Sequence, residues 1–317
     1  MHLTKPLLVA ICLLMVSLAQ AAGFRLLEIP AGPLGPALQG AVWYPCSQTP
    51  HDVKLGPFIL SVAQDCPVNG AKLPLIVVSH GWSGSFLSHR DLAETLANAG
   101  FVVIAINHGD SALNSRRNGD LSVLVERPSD IRRVIDFMLG AWSGAAHLDA
   151  RRVGFFGFSR GGYTGLVALG ANPVFGSAAR LCKGSDNPAC LQADRGGQWV
   201  LVHDPRIKAA VIADPFSDFF TTQSLKDVKV PVQLWGSQYG GDGVAPESVA
   251  AVARALPSLV EFNRVAKSRH FAFLAPCPVE LAKRASDICS DAPGFDRSAF
   301  HQEMNAKILG FFLKYLM

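Results

Sequence analysis

From Lys72 onward, short apolar runs alternate with longer amphipathic stretches. The apolar runs are Leu73–Ser79 (LPLIVVS), Phe101–Ile106 (FVVIAI), Val153–Phe158 (VGFFGF), Ala209–Ala213 (AAVIA), Val230–Trp235 (VPVQLW) and a weaker Leu259–Val265. Runs of this length and β-branched content predict strands buried on both faces, as in a parallel sheet covered by helices. The stretches between them predict helices. Ser88–Ala99 opens on a serine N-cap and stops before Gly100. Pro128–Leu139 places Ile131, Val134, Ile135 and Met138 on one face. Gly161–Leu169 is a small-residue helix suited to close packing. Pro246–Leu256 begins with proline in its first turn. Ser298–Tyr315 carries Phe300, Met304, Ile308, Phe311 and Phe312 on a stripe. Upstream, Phe24–Tyr44 predicts one or two edge strands, the better at Leu38–Tyr44. The alternation predicts an α/β fold with a mostly parallel central sheet flanked by helices, in a single domain over 22–317. Asn172–Arg206 is too long for an ordinary connection and too short for a domain. It reads as a surface excursion near the mouth of the site.

The first 21 residues follow a different pattern. His2 and Lys5 precede an apolar run from Leu7 to Val16, and Ala19-Gln20-Ala21 closes the segment. A short positive region, an apolar core and an Ala-x-Ala site predict a signal peptide at 1–21, removed on export to the periplasm or outside the cell. The run from Pro6 to Ala19 is too short to span a bilayer comfortably, and no other stretch is long and apolar enough, so no membrane span is expected in the mature chain. Of seven cysteines, Cys12 falls in this segment and six remain. Their order suggests three local bridges, Cys46–Cys66, Cys182–Cys190 and Cys277–Cys289, as an oxidising compartment allows. No C-x-x-C pair exists and no histidine sits at ligand spacing from a cysteine, so no metal site is expected.

Composition narrows the field without choosing a function. The 317 residues are 49% hydrophobic and 17% charged, which excludes a disordered chain and a coiled coil. The formal charge of +4 is small and no basic run concentrates it, so nucleic acid is not an expected partner.

The chemistry centres on Gly157-Phe158-Ser159-Arg160-Gly161. This G-x-S-x-G follows an apolar strand and opens a helix, the context in which a serine is held on a strained turn as a nucleophile. A nucleophilic serine needs a base and an oxyanion hole. The loop after Leu73–Ser79 reads His80-Gly81-Trp82-Ser83-Gly84-Ser85, and the backbone N–H groups of Trp82 and Arg160 are the expected oxyanion donors. His80 reads as a packed turn residue. His270 follows the last strand and is the expected base. His301 falls in the C-terminal helix as a packing or surface residue, and His203 in a surface loop. Two aspartates compete as the acid that orients the imidazole. Asp242, in Gly240-Gly241-Asp242-Gly243, sits on the loop after Val230–Trp235, the commoner placement, and is preferred. Asp214 ends the previous strand and is the alternative. Trp82, Phe158, Phe216 and Phe271 are candidates to line an apolar pocket. Arg160 is placed either to meet an acidic substrate or to pair locally.

Seven stretches carry a resemblance: SHGWSGS (Ser79–Ser85), AINHGD (Ala105–Asp110), RPSDIRRVIDF (Arg127–Phe137), GFSRGG, IADPF, GGDGVAP and HFAFLAPC (His270–Cys277). In this order they resemble the α/β-hydrolase superfamily, and within it the predicted dienelactone hydrolases and platelet-activating-factor-acetylhydrolase-like esterases. The resemblance implies a Ser-acid-His triad of Ser159 and His270 with an aspartate, and no cofactor. Acetylhydrolase-like members place the acid where Asp214 stands, whereas secreted polyester hydrolases and most others match Asp242 through D-x-x-A-P. Dienelactone hydrolases proper use a cysteine nucleophile and this chain has Ser159, so dienelactone is not the expected substrate. The expectation is an exported serine hydrolase of small-molecule, lipid or polymer carboxylic esters. Acyl transfer or peptide cleavage on the same fold, and a non-catalytic binding protein with a relict hydrolase fold, are the alternatives.

Overall fold

A computed structural model describes residues 21–112, 122–175 and 200–317. The apolar runs become the centre of one sheet. Its strands are β1 (Ala21–Ile29), β2 (Leu38–Cys46), β3 (His51–Leu55), β4 (Phe58–Gln64), β5 (Leu73–Ser79), β6 (Val102–Ile106), β7 (Leu148–Phe158), β8 (Ile207–Ala213), β9 (Val232–Ser237) and β10 (Leu259–Val265). They lie in the order β10-β9-β8-β7-β5-β6-β2-β1-β4-β3. Strands β5 to β10 pair in parallel, and β6 meets β2 antiparallel. Helices are α1 (Arg90–Asn98), α2 (Ser122–Leu139), α3 (Arg160–Ala168), α4 (Thr222–Leu225), α5 (Pro246–Ala255), α6 (Val279–Ala282), α7 (Ser286–Cys289) and α8 (Arg297–Leu316).

Both faces of the sheet are covered, which is why its central strands lack polar alternation. Leu75 and Val77 of β5 join one core with Ile104, Val134, Leu166 and Val249, under α2, α3 and α5. Ile76 and Val78 point the other way and join Val103, Leu92 and Phe312, under α1 and α8. No helix among the described residues is long and apolar enough to cross a membrane.

The structure adds two features to the sequence expectation. Strands β3 and β4 form an antiparallel hairpin whose pair Leu55–Phe58 is closed by Gly56-Pro57. Gly56 has φ +58, the conformation that glycine supplies at the first central position of a tight hairpin turn. Helix α2 begins at Ser122 and contains Pro128 in its interior, where the sequence pattern starts the helix. Cys46–Cys66 ties the end of β2 to the residues after β4, and Cys277–Cys289 closes a loop holding α6 and most of α7. The Cys182–Cys190 expectation lies outside the described residues, as does all of the expected signal peptide except Ala21.

Strand order also fixes where a site can form. After β5 the chain moves outward to β6, then returns past β5 to β7. The segments leaving β5 and β7 at their carboxyl ends therefore diverge, and a crevice opens between them. Those segments are the Gly81–Ser85 loop and the Ser159 turn.

His89 precedes α1 and is wholly buried, edge-on to Phe156 at 4.9 Å and Phe158 at 5.5 Å between centroids. Burial pushes its imidazole down to about 3. The unfolded chain therefore binds the extra proton between about pH 6.5 and about 3, so this residue makes stability fall as pH falls through that window. Replacing His89 by Phe should flatten the acid limb of stability by up to about 1.4 kcal/mol per pH unit. Urea midpoints from pH 7 to pH 4.5 check this.

Candidate active site

Ser159 stands between β7 and α3 with φ 55° and ψ −117°. This is a backbone conformation that L residues rarely adopt, and such strain concentrates where a side chain must be presented. The flanking glycines are required by space. A Cβ at Gly161 would lie 1.9 Å from the Ser79 carbonyl oxygen, and one at Gly157 would lie 2.2 Å from the Gly161 oxygen. Helix α3 thus crosses directly against the end of β5. The turn is held by Ser159 N–H to Ala213 O at 3.0 Å and by Phe216 N–H to Ser159 O at 3.0 Å. Arg160 is the first residue of α3, so its N–H is among the first four that find no partner within the helix.

His270 begins a 3-10 turn after β10 and is nearly fully buried. Its ring stacks on Phe158 at 4.6 Å. Nδ1 donates to Asp214 Oδ2 at 2.7 Å. Nε2 has no hydrogen-bond partner among the described residues. Asp214 directly follows β8, has φ 43° and is fully buried. Its carboxylate also accepts from the Ser237 N–H and the Ser237 hydroxyl, each at 2.8 Å. Ser237, which the sequence reading did not single out, thus fixes the carboxylate that holds the histidine. Tyr239 N–H to Ser268 O at 3.0 Å and His270 N–H to Gly240 O at 2.9 Å zip the loops after β9 and β10 together.

The structure places the two aspartates differently. Gly241 and Val244 exchange backbone hydrogen bonds at 3.0 and 2.9 Å, and the residues between them, Asp242 and Gly243, have φ 49° and 78°. Two consecutive positive φ values make the mirror-image tight turn that favours Asp-Gly. Asp242 is therefore exposed at a turn tip on the rim of the cleft, while Asp214 is bonded to the imidazole. The Asp-Gly dipeptide is the sequence signal that marks Asp242 as a turn residue.

Behind the Gly81–Ser85 loop lies a buried polar network built on Arg127 of α2. Its guanidinium donates to Asp110, to Thr164 Oγ1 at 3.0 Å, to Ser79 Oγ at 3.3 Å and to the His80 carbonyl. Asp110 also accepts from Arg160 at 3.1 Å. Burial alone would raise the Asp110 carboxyl, but its basic neighbours, Arg127 foremost with His80, His108 and Arg160, together outweigh it and hold the group well below the usual carboxylate range. His80 donates from Nδ1 to Gly81 O at 2.6 Å and accepts at Nε2 from the His108 N–H at 3.1 Å. Burial, reinforced by Arg127, keeps it neutral, which suits this one-donor, one-acceptor pattern. Ser83 N–H bonds Asp110 O and Ala112 N–H bonds Gly84 O, both at 3.0 Å. His80 is thus a structural residue that shapes the loop carrying Trp82. Arg160 pairs locally, with Asp110 and over the Trp82 ring at 5.3 Å.

These elements enclose a cleft of about 590 Å³ lined by Gly81–Ser85, Ser159 and His270. Trp82, Phe158 and Phe271 line it, as expected. Phe216 does not; it packs instead against Phe219 at 5.4 Å. His301 lies in α8, bonded to Asp91 at 2.6 Å and to the Ala272 carbonyl at 2.9 Å, and so braces the turn that carries His270.

Comparison with known proteins agrees with this architecture. Residues 52–120 match the family model described as platelet-activating factor acetylhydrolase, isoform II. No curated protein matches the chain. A ferulic acid esterase from Streptomyces cinnamoneus is similar in structure, with TM-score 0.63 and 18% identity, over 95% of this chain and 91% of that one. A dienelactone hydrolase from Anabaena variabilis is similar with TM-score 0.53 and 18% identity, over 94% of this chain and 100% of that one. The fold is that of the α/β-hydrolases, and residues 52–120 are similar to the platelet-activating factor acetylhydrolase family.

Replacing Asp110 by Asn would leave the fully buried Arg127 without its counter-charge. Breaking a buried pair from one side costs about 3–5 kcal/mol, and a loss of that size is expected in chemical denaturation of the Asp110→Asn variant.

Proposed function

We propose that the protein is an exported serine hydrolase of carboxylic esters, acting through Ser159, His270 and Asp214. The observation that carries this reading is the convergence on one cleft of a serine on a strained strand–helix turn and a histidine bonded by Nδ1 to a buried aspartate. Ser159 Oγ attacks the ester carbonyl carbon while His270 Nε2 takes its proton. Asp214 fixes the tautomer with the Nδ1 proton and stabilises the imidazolium that forms. The negative charge on the former carbonyl oxygen is held by the N–H groups of Trp82 and Arg160. His270 then returns its proton to the departing alcohol. Water, activated by the same nitrogen, releases the acid from Ser159. Export follows from the leader pattern at 1–21, and the two disulfides are compatible with it.

Ser159→Ala should abolish turnover of p-nitrophenyl acyl esters and labelling by a fluorophosphonate. Retention of full activity in that variant would overturn the reading.

The two aspartates separate kinetically. Asp214→Asn should lower kcat by about 10⁴, the cost of the wrong imidazole tautomer. Asp242→Asn should leave kcat within about tenfold of the parent. Steady-state kinetics on one ester substrate measure both.

A further inference from the structure

The cleft beside Ser159 has a second wall that the catalytic reading leaves without a task. The lining draws Phe58 and Trp82 from the N-terminal part of the chain and Phe271, Leu274, Leu281, Ala285 and Ile288 from the C-terminal part. Leu281, Ala285 and Ile288 all belong to the loop closed by Cys277–Cys289. This loop is anchored at both ends. The Arg90 guanidinium donates to the Pro276 carbonyl, and Ala275 N–H bonds Ser88 O at 3.0 Å. At the far end Arg297 donates to the Ile288 carbonyl at 3.0 Å and grips Asp291 through two nitrogens, at 2.8 and 3.0 Å. Arg90 also stacks on Phe58 at 4.5 Å, so one guanidinium braces both parts of the lining. A wall fastened this way keeps its shape before a ligand arrives, which reduces the ordering cost of binding.

We infer that the Cys277–Cys289 loop is the specificity wall of the site, forming with Phe58 and Trp82 a subsite for an uncharged apolar group of the ester. The inference rests on the esterase reading above and deepens it. The occupant is set by continuity: the same cleft contains Ser159 and His270, so a group seated here belongs to the ester whose carbonyl meets Ser159. Its chemistry is set by the lining. Phe58, Trp82, Phe271, Leu274, Leu281 and Ile288 are aliphatic or aromatic, whereas the charged lining residues, Asp242 and Asp287, are exposed carboxylates. Such a lining rewards apolar area and repels an anionic group. An aryl group and an alkyl chain both meet these terms.

Binding and turnover test the idea separately. Calorimetry on Ser159→Ala should show hexyl acetate or benzyl acetate binding at least tenfold tighter than ethyl acetate. The added changes Leu281→Ala and Ile288→Ala should reduce that advantage at least fivefold. Cys277→Ser with Cys289→Ser should reduce it in the same direction. Val279→Ala, on the same loop but 71% exposed and away from the cleft, should leave it unchanged. The ratio of hexyl to benzyl affinity tells chain from ring. Equal affinity for ethyl and apolar esters would overturn the inference. So would an unchanged preference in a Leu281→Ala/Ile288→Ala protein whose near-ultraviolet circular dichroism is native. Tight, wall-dependent binding with no turnover by the parent would uphold the subsite and refute the esterase reading instead.

Discussion

Arg127 is the residue on which the site's surroundings depend. It is wholly buried in α2, yet it reaches the loop after β5, the loop after β6 and the side of α3. A buried guanidinium is tolerable only when its donors are met and its charge is countered. Asp110 supplies the charge, and Ser79, His80 and Thr164 supply acceptors. The consequence is geometric. Three segments from distant parts of the chain share one rigid set of hydrogen bonds directly behind the Gly81–Ser85 loop. Donors that meet a developing negative charge must stand in place beforehand, and on the proposed reading this network holds the loop that supplies one of them.

His270 is held by a separate device on the other side of Ser159. Asp214 and Ser237 come from adjacent strands, and His270 from the loop beyond them. Phe158, the last residue of β7, stacks on the face of the imidazole. The two halves meet at Phe158, which also packs closely against Gly81, and at Ser159. The strained backbone there is maintained from both sides, by Ala213 on β8 and by the close crossing of Gly161 over Ser79. Strain at one residue is affordable because neither neighbour can relax it.

Much of this was legible in the sequence. Strands buried on both faces announce themselves as unbroken apolar runs, as β5 does; β10, half-exposed, has a weaker pattern but the same bounds as read from the sequence. Ser159 and His270 were visible because the turn chemistry and chain order confine them. Which aspartate meets His270 was harder to read, since spacing alone cannot tell a side chain at a strand end from one on a turn tip. The Asp-Gly pair at Asp242 held that information. Arg127 was also within reach: it falls on the stripe of Ile131, Val134 and Ile135, where an arginine has no reason to lie unless it is paired inside. Pro128 hid this by resembling a helix start. Strands β3 and β4 were missed because β3 buries only Val53, so its pattern is too polar to stand out.

That polarity has a use at the margin of the sheet. A ten-strand sheet has two open edges, each a template for pairing with another molecule. At one edge β3 presents His51, Asp52 and Lys54 to solvent; at the other, β10 presents Glu261 and Arg264. Charges at such positions oppose strand addition. The residues that made the outermost strand hard to recognise are the ones that keep neighbouring copies from extending the sheet into an aggregate.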